Sequence, residues 1–234
     1  MKTSALFETD PNRDMIISFC TIRRAVGWLG IALPVVCYLG TLLLGNCDVL
    51  KASISDYYYT IMGTTLVGIL CAVALFLLTY KGPAPIDGIL SSLAALFALG
   101  VAFCPCNVTG GHYDCNVICF PAANDTRDTF HYCFAAGLFC VQAVMCFWLF
   151  TRTNKTDPKP PKKARNRVYY ICGAIMVVAI ALILLLKIFQ LGTKLYYLRP
   201  VYWLELITLW AFGVAWLVKG QIVLKDKPED SADA

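Results

Sequence analysis

Six long apolar stretches, separated by polar segments, dominate the pattern of hydrophobic and polar positions along the chain. Their approximate bounds are 27–44, 60–80, 86–103, 130–150, 168–186 and 201–218. Each stretch has the roughly 18–20 residues that an α-helix needs to cross ~30 Å of hydrocarbon. Short alternating segments of the kind found in membrane β-barrels are not visible. The pattern therefore predicts an all-α membrane protein, a six-helix transmembrane bundle that forms one domain over 27–218.

The composition agrees with a membrane protein. Hydrophobic residues make up 59% of the chain, and charged residues 15%, compared with roughly 25% in soluble domains. The formal net charge is +5, but the basic residues flank the apolar stretches instead of forming a stripe with aromatic residues. We therefore expect membrane lipids as partners and no nucleic acid. A membrane-protein partner or a homo-oligomer is left open.

The distribution of basic residues predicts an orientation. Of the 20 Lys and Arg residues, most fall in four places: the segments 1–26, 151–167 and 219–234, and the short turn after the second stretch. Because such residues are retained on the cytoplasmic side, both termini are predicted to be cytoplasmic. The segment of about 104–129, between helices three and four, is then extracytoplasmic. The expected location is the cell membrane or an endomembrane.

Four cysteines in that extracytoplasmic loop, Cys104, Cys106, Cys115 and Cys119, are disulfide candidates, because exported compartments favour disulfides. The sequence does not choose the pairing, although one intervening residue disfavours a bridge between Cys104 and Cys106. Two further cysteines, Cys47 and Cys133, lie near the same face and could supply another bridge. The competing interpretation is a metal site that includes His112. The cysteine spacing matches no structural zinc pattern, so neither a metal nor a cofactor is expected.

Glu205 is the only acidic residue well within an apolar stretch. An ionisable group there is costly without a partner and indicates a functional site. The predicted topology brings it to one membrane depth with six other residues, near the extracytoplasmic ends of the helices. We call these seven residues the polar rim: Ser53, Ser55, Asp56, His131, Lys187, Arg199 and Glu205.

Structural interpretations compete with a functional one at several of these positions. Glu205 could form a buried ion pair with Lys187 or Arg199. Asp56 precedes an apolar helix, where it could act as the N-cap. His131 could simply join two helices through a hydrogen bond.

Sequence motifs of known enzymes are not found in the chain, with neither a Gly-x-Ser-x-Gly elbow nor a phosphate-binding loop. We therefore favour a non-enzymatic membrane protein that binds lipid or a partner through the polar rim. The alternative is an outward-facing membrane enzyme or proton-coupled transporter. In that case Glu205 and His131 would form a proton-handling pair, because a histidine beside a buried carboxylate suits proton transfer.

Two short motifs carry a resemblance. The phrase Ser53-Ile-Ser-Asp56, continued by three tyrosines, and the phrase around Trp203-Leu-Glu205 resemble the uncharacterised six-helix bacterial membrane proteins of the DUF998-like group. The six-helix plan, with a histidine at the head of the fourth helix, also loosely resembles the Frag1/DRAM/Sfk1 superfamily. Both resemblances imply a lipid-associated role and no known catalytic mechanism.

Overall fold

The computed structural model describes residues 11–82, 84–108, 115–117, 125–153 and 160–224, and in these ranges the secondary structure is helical. Six long helices and one short helix follow one another: α1 (Pro11–Gly45), α2 (Gly63–Thr79), α3 (Pro85–Phe103), α4 (Asp125–Val144), α5 (Pro160–Ile188), α6 (Leu191–Lys194) and α7 (Pro200–Lys219). A π-helical turn, Met145–Leu149, continues α4, and 3-10 turns occupy Ser55–Tyr59 and Tyr196–Leu198. Five of the long helices are long and apolar enough to cross a membrane, whereas α2 is shorter.

Each of the six predicted stretches overlaps a long helix, but residues 60–62 and 80 lie outside α2, and α1 and α5 begin earlier than predicted, at Pro11 and Pro160. Part of the predicted segment 1–26 and part of the predicted loop 151–167 are therefore helical. Hydropathy locates the apolar part of a helix and does not report polar turns that continue it. Those turns are held by basic side chains: Arg24 donates to the carbonyl oxygen of Gly220 at 2.8 Å, and Lys162 to that of Phe150 at 2.7 Å.

The long helices form a ring in which each helix packs against two neighbours. The order around the ring is α1, α2, α3, α4, α5, α7 and back to α1, while α4 and α7 touch only weakly across it. Helices α1 and α7 approach closely at Gly27 and Gly213, where a Cβ on Gly213 would lie 2.7 Å from the carbonyl oxygen of Gly27. Small residues permit this approach where lipid provides no hydrophobic drive between helices.

The two ends of the ring differ. One end, which we call the basic end, carries Arg24, Lys162 and Lys219; the other, the disulfide end, carries the bridge described below. The interior towards the basic end is filled by Trp216, which is fully buried and donates its indole N–H to Gln142 at 3.0 Å. The interior towards the disulfide end holds the Ser55–Tyr59 turn and a set of cavities instead, and these position the candidate site.

Candidate functional site

Glu205 holds the loop between α1 and α2 against the first turns of α7. Its carboxylate accepts a hydrogen bond from the Ser53 hydroxyl, which lies 2.9 Å from each carboxylate oxygen, and one from the Ile54 amide at 2.5 Å. A backbone bond of 3.0 Å from the Tyr202 amide to the Ala52 carbonyl runs alongside. Together these hydrogen bonds attach the loop to the first turns of α7.

His131, in the second turn of α4, joins that loop to α3. Its Nδ1 atom lies 2.7 Å from the Cys104 carbonyl oxygen, and its Nε2 atom lies 3.0 Å from the Ser55 hydroxyl. A carbonyl oxygen only accepts hydrogen bonds, so Nδ1 carries the proton and Nε2 of the neutral ring accepts from Ser55. The histidine is 4% exposed. The contact between α4 and the loop is therefore a serine–histidine hydrogen bond with a fixed tautomer.

The Glu205 and His131 bonds are linked through the backbone. The Ser55 amide donates to the Ser53 hydroxyl at 3.1 Å, so the carboxylate and the imidazole belong to one hydrogen-bonded group. Among the described contacts, however, Glu205 and His131 share no direct bond. The connection passes through an amide N–H, which does not exchange a proton readily. The geometry thus gives the proton-handling pair no continuous chain of hydroxyl groups between its members.

The two predicted cationic partners of Glu205 have other contacts. Lys187 forms an ion pair with Asp128 at 2.9 Å and lies 3.1 Å from the centre of the Tyr132 ring. Arg199 lies 3.8 Å from the centre of the Tyr196 ring. The alternative considered from the sequence, an ion pair of Glu205 with Lys187 or Arg199, is not among the contacts of the described residues. Asp128 and Tyr132 lie one turn apart on the face of α4 that packs against the end of α5. Lys187 lies in the last turn of α5 and therefore contacts both of them.

Asp56 does not cap the second long helix. It lies in the first turn of the Ser55–Tyr59 3-10 segment, its amide donates to the Ser53 carbonyl at 3.2 Å, and its side chain is 2% exposed. Helix α2 begins only at Gly63, after Met62. Apolar periodicity cannot distinguish one long helix from a 3-10 turn followed by an α-helix, and that explains the difference.

Three adjoining cavities surround this hydrogen-bonded group. The inner cavity, of about 70 Å³, lies in the ring and includes Ser55, Ala135 and Leu209 in its wall. The middle cavity, of about 140 Å³, lies among α4, α5 and α7 and reaches Ile183 and Leu184. The mouth cavity, of about 310 Å³, lies at the disulfide end.

The cavities share walls and therefore adjoin one another; we call the three together the path. The inner and middle cavities share four residues: His131, Ala135, Phe139 and Glu205. The middle and mouth cavities share three: Tyr132, Ile183 and Lys187. The path has a polar mouth near Lys187 and Asp128, the hydrogen-bonded group beside it, and an apolar floor. Sequence reasoning named Lys187, His131 and Glu205 but not the floor residues, which carry no chemical signal of their own.

The disulfide in the structure joins Cys47, just after α1, to Cys115. Of the predicted disulfide candidates, Cys115 is bridged, but Cys104 and Cys106 are free thiols. Cys106 is 2% exposed, and burial, together with the nearby carboxylates of Asp56 and Glu205, raises the pKa of its thiol. A buried, protonated thiol is a poor partner in disulfide exchange, so the expectation of a bridge at Cys106 is corrected.

Two residues of the predicted cysteine loop, His112 and Cys119, lie outside the described residues, so the metal interpretation stays untested. Cys133 is an exposed free thiol. Next to the bridge, Lys51 donates to Asn116 at 2.7 Å and the Val117 amide donates to the Tyr59 carbonyl at 2.9 Å. These bonds and the bridge attach residues 115–117 to the segment 47–59.

Mass spectrometry of peptides from unreduced protein should detect a linked pair that contains Cys47 and Cys115. The reason is that the structure brings only these two thiols together among the described cysteines. Alkylation before digestion should modify Cys133, which is exposed, and should leave Cys106 unmodified until the protein is unfolded. Recovery of Cys47 as an alkylated thiol, with Cys104 linked to Cys115, would contradict the observed connectivity.

No protein-family model, curated protein or solved structure matches the chain. The resemblance to the DUF998-like group and to the Frag1/DRAM/Sfk1 superfamily therefore stays a prediction.

Proposed function

We propose that the protein binds a membrane phospholipid, with an acyl chain in the inner and middle cavities and the headgroup in the mouth cavity. The observation that carries the proposal is the path from a polar mouth to an apolar floor inside a ring of apolar helices. Lipid is the ligand with that polarity, and it surrounds a protein of this composition. Ligand sites between helices of a bundle are commonly apolar pockets with a few convergent polar groups.

The floor of the path suits an acyl chain. Ala135 and Phe139 follow His131 on one face of α4, and Leu209 follows Glu205 on α7, each one or two turns towards the basic end. One turn advances a helix by about 5.4 Å, so the apolar wall continues for several carbon atoms beyond the polar group. The middle cavity, of about 140 Å³, presents Ala135, Phe139 and Ile180 as the apolar wall that an acyl chain would contact.

An entry route from the bilayer is also present. Leu184, in the wall of the middle cavity, is 56% exposed on the outside of the bundle. Since Leu184 contributes both to the cavity wall and to the outer surface of the bundle, the middle cavity lies close to the surrounding acyl chains. A chain could therefore pass between α4 and α5 without crossing water.

The mouth suits a headgroup. Lys187 and Asp128 form their ion pair there, with Lys187 about half exposed. A cation and an anion side by side complement a zwitterionic headgroup, which carries a phosphate and an ammonium. The lysine is a mobile point charge and can contact a phosphate oxygen while it stays near Asp128.

Photo-crosslinking tests the proposal. The purified protein is placed in nanodiscs that contain phosphatidylcholine with a diazirine on one acyl chain, and it is irradiated and digested. We expect lipid adducts on floor residues such as Phe139 and Leu209, because the bound chain stays there. Every bilayer-exposed side chain, such as Leu75 and Leu96, will show background adducts. Adducts on Leu75 and Leu96 without any on the floor would contradict lipid binding in the cavities.

A further inference from the structure

We propose that the protein is also an acyl-ester hydrolase, in which Ser55 is the nucleophile and His131 the general base. The inference rests on the proposed lipid binding, since the substrate is the acyl ester of the lipid in the cavities. It starts from one contact that lipid binding alone does not require. The contact is the 3.0 Å hydrogen bond between the Ser55 hydroxyl and Nε2 of His131.

The contact has the three parts that an activated serine needs. The nucleophile donates to the base, and the other nitrogen of the base donates to an acceptor that fixes its orientation. Here the acceptor is the Cys104 carbonyl, 2.7 Å from Nδ1. This bond keeps the proton on Nδ1 and leaves the lone pair of Nε2 directed at Ser55. A backbone carbonyl takes the place that a carboxylate has in the Ser-His-Asp triad, so the arrangement is a dyad with a fixed tautomer.

The position of the dyad along the path fits an ester. Ser55 and His131 are both in the wall of the inner cavity, whose apolar part includes Ala135 and Leu209. In a phospholipid, the ester groups lie between the headgroup and the acyl chains. With the headgroup near Lys187 and the chain beyond Ala135, the ester carbonyl reaches the level of Ser55. His131 is also in the wall of the middle cavity, so a chain in either cavity passes the base.

Hydrolysis would proceed in two steps. In the first, Ser55 Oγ bonds to the ester carbonyl carbon as its proton moves to His131 Nε2; the ester C–O bond then breaks, and the departing alcohol takes that proton. In the second, water from the mouth cavity attacks the acyl-serine as His131 accepts a proton from it. The fatty acid leaves as Ser55 Oγ regains the proton. The net reaction turns one ester and one water into an acid and an alcohol, with no change of oxidation state.

Glu205 has a positioning role in this scheme. It does not contact His131 or Ser55 side chains among the described bonds. Its carboxylate accepts hydrogen bonds from the Ser53 hydroxyl and the Ile54 amide. The Ser53 hydroxyl in turn accepts a hydrogen bond from the Ser55 amide at 3.1 Å. The carboxylate thus sets the direction in which the backbone presents Ser55 to His131.

If the hydrogen bond between Ser55 and His131 served only to join the loop to α4, its geometry would be the same, but Ser55 would not be reactive. A fluorophosphonate with a long alkyl chain distinguishes the two, because only an activated serine displaces fluoride from phosphorus and forms a phosphonate ester. The full-length protein in nanodiscs is treated with this probe, and the modified peptide is identified by mass spectrometry.

We expect adducts on Ser55 in the wild type and none there in Ser55→Ala. In His131→Gln the rate should fall at least about 100-fold, the lower range for loss of a general base. Gln can still hydrogen-bond to Ser55 and to the Cys104 carbonyl, so the contact between α4 and the loop is kept while the general base is lost. The matched control is Ser91→Ala, since Ser91 is also buried but donates to the Leu77 carbonyl; its Ser55 should react at the wild-type rate.

Absence of an adduct on Ser55 of the wild type would overturn the proposal, as would equal rates in the wild type and His131→Gln. Acyl-chain crosslinking on the same samples separates the two proposals. If crosslinks form on the cavity floor and Ser55 does not react, lipid binding stands and hydrolysis is refuted. If the floor is not crosslinked either, lipid binding is refuted as well.

Discussion

Replacement of Glu205 by alanine should destabilise the protein by about 3 kcal/mol, the combined cost of two buried donors that lose their acceptor. The Ser53 hydroxyl and the Ile54 amide both donate to this carboxylate, and both residues are less than 5% exposed. In Glu205→Ala neither donor has a replacement acceptor among the described contacts. The measurement is the free energy of unfolding from a titration with sodium dodecyl sulfate in mixed micelles.

Two control variants separate the carboxylate from a general effect on α7. Glu205→Gln keeps one carbonyl oxygen as an acceptor, so we expect a loss of about 1 kcal/mol. Thr208→Val removes a hydroxyl whose bond among the described residues is to the Leu204 carbonyl of its own helix, and it should change stability little. A stability of Glu205→Ala equal to that of the wild type would show that the loop does not depend on Glu205.

The membrane-spanning plan followed from the chain because apolar length is a direct physical requirement of the bilayer. Each of the six stretches overlaps one of the six long helices, although the second extends beyond α2 at both ends. The early starts of α1 and α5 were not predicted, because polar turns that continue a helix leave no hydropathy signal. Their stability depends on contacts such as that of Arg24 with Gly220.

The polar group shows a second limit of the sequence. Alternation of helix direction predicts one level for Ser53, Ser55, His131 and Glu205, and hydrogen bonds join Ser53 to Glu205 and Ser55 to His131. The level does not fix the rotation of each helix about its axis, and rotation decides which partner a side chain meets. Glu205 therefore accepts hydrogen bonds from Ser53 and Ile54, whereas a cationic partner was considered for it from the sequence. Lys187 forms its ion pair with Asp128 instead. The hydrogen bond of His131 to the Cys104 carbonyl could not be predicted from the sequence, because every residue has a backbone carbonyl group.

The second large effect is expected from Ala135→Trp. Ala135 is in the wall of both the inner and the middle cavity, so an indole group at this position occupies the space proposed for the acyl chain. Crosslinking of a diazirine lipid to Leu209 should fall at least about tenfold, which corresponds to about 1.4 kcal/mol of lost binding free energy. The existing cavity accommodates the added atoms, so the cost in stability should stay near the 1–3 kcal/mol that is typical of overpacking.

The matched control is the same substitution on the outside of the bundle. Ala181 lies on α5, is exposed, and is not in the wall of any of the three cavities. Ala181→Trp adds the same indole to the lipid-facing surface and should leave crosslinking at Leu209 unchanged. A comparable loss in both variants would indicate a general effect of tryptophan on the bundle.

The yield of acyl-chain adducts at Leu209, compared among the wild type, Ala135→Trp and Ala181→Trp in identical nanodiscs, tests the central claim most directly. Lipid binding inside the ring predicts a high yield in the wild type and in Ala181→Trp, with a loss confined to Ala135→Trp. The yield at exposed Leu75 provides the internal standard in each sample. Yields at Leu209 that are equally low in all three proteins, beside normal yields at Leu75, would contradict a lipid chain in the cavities.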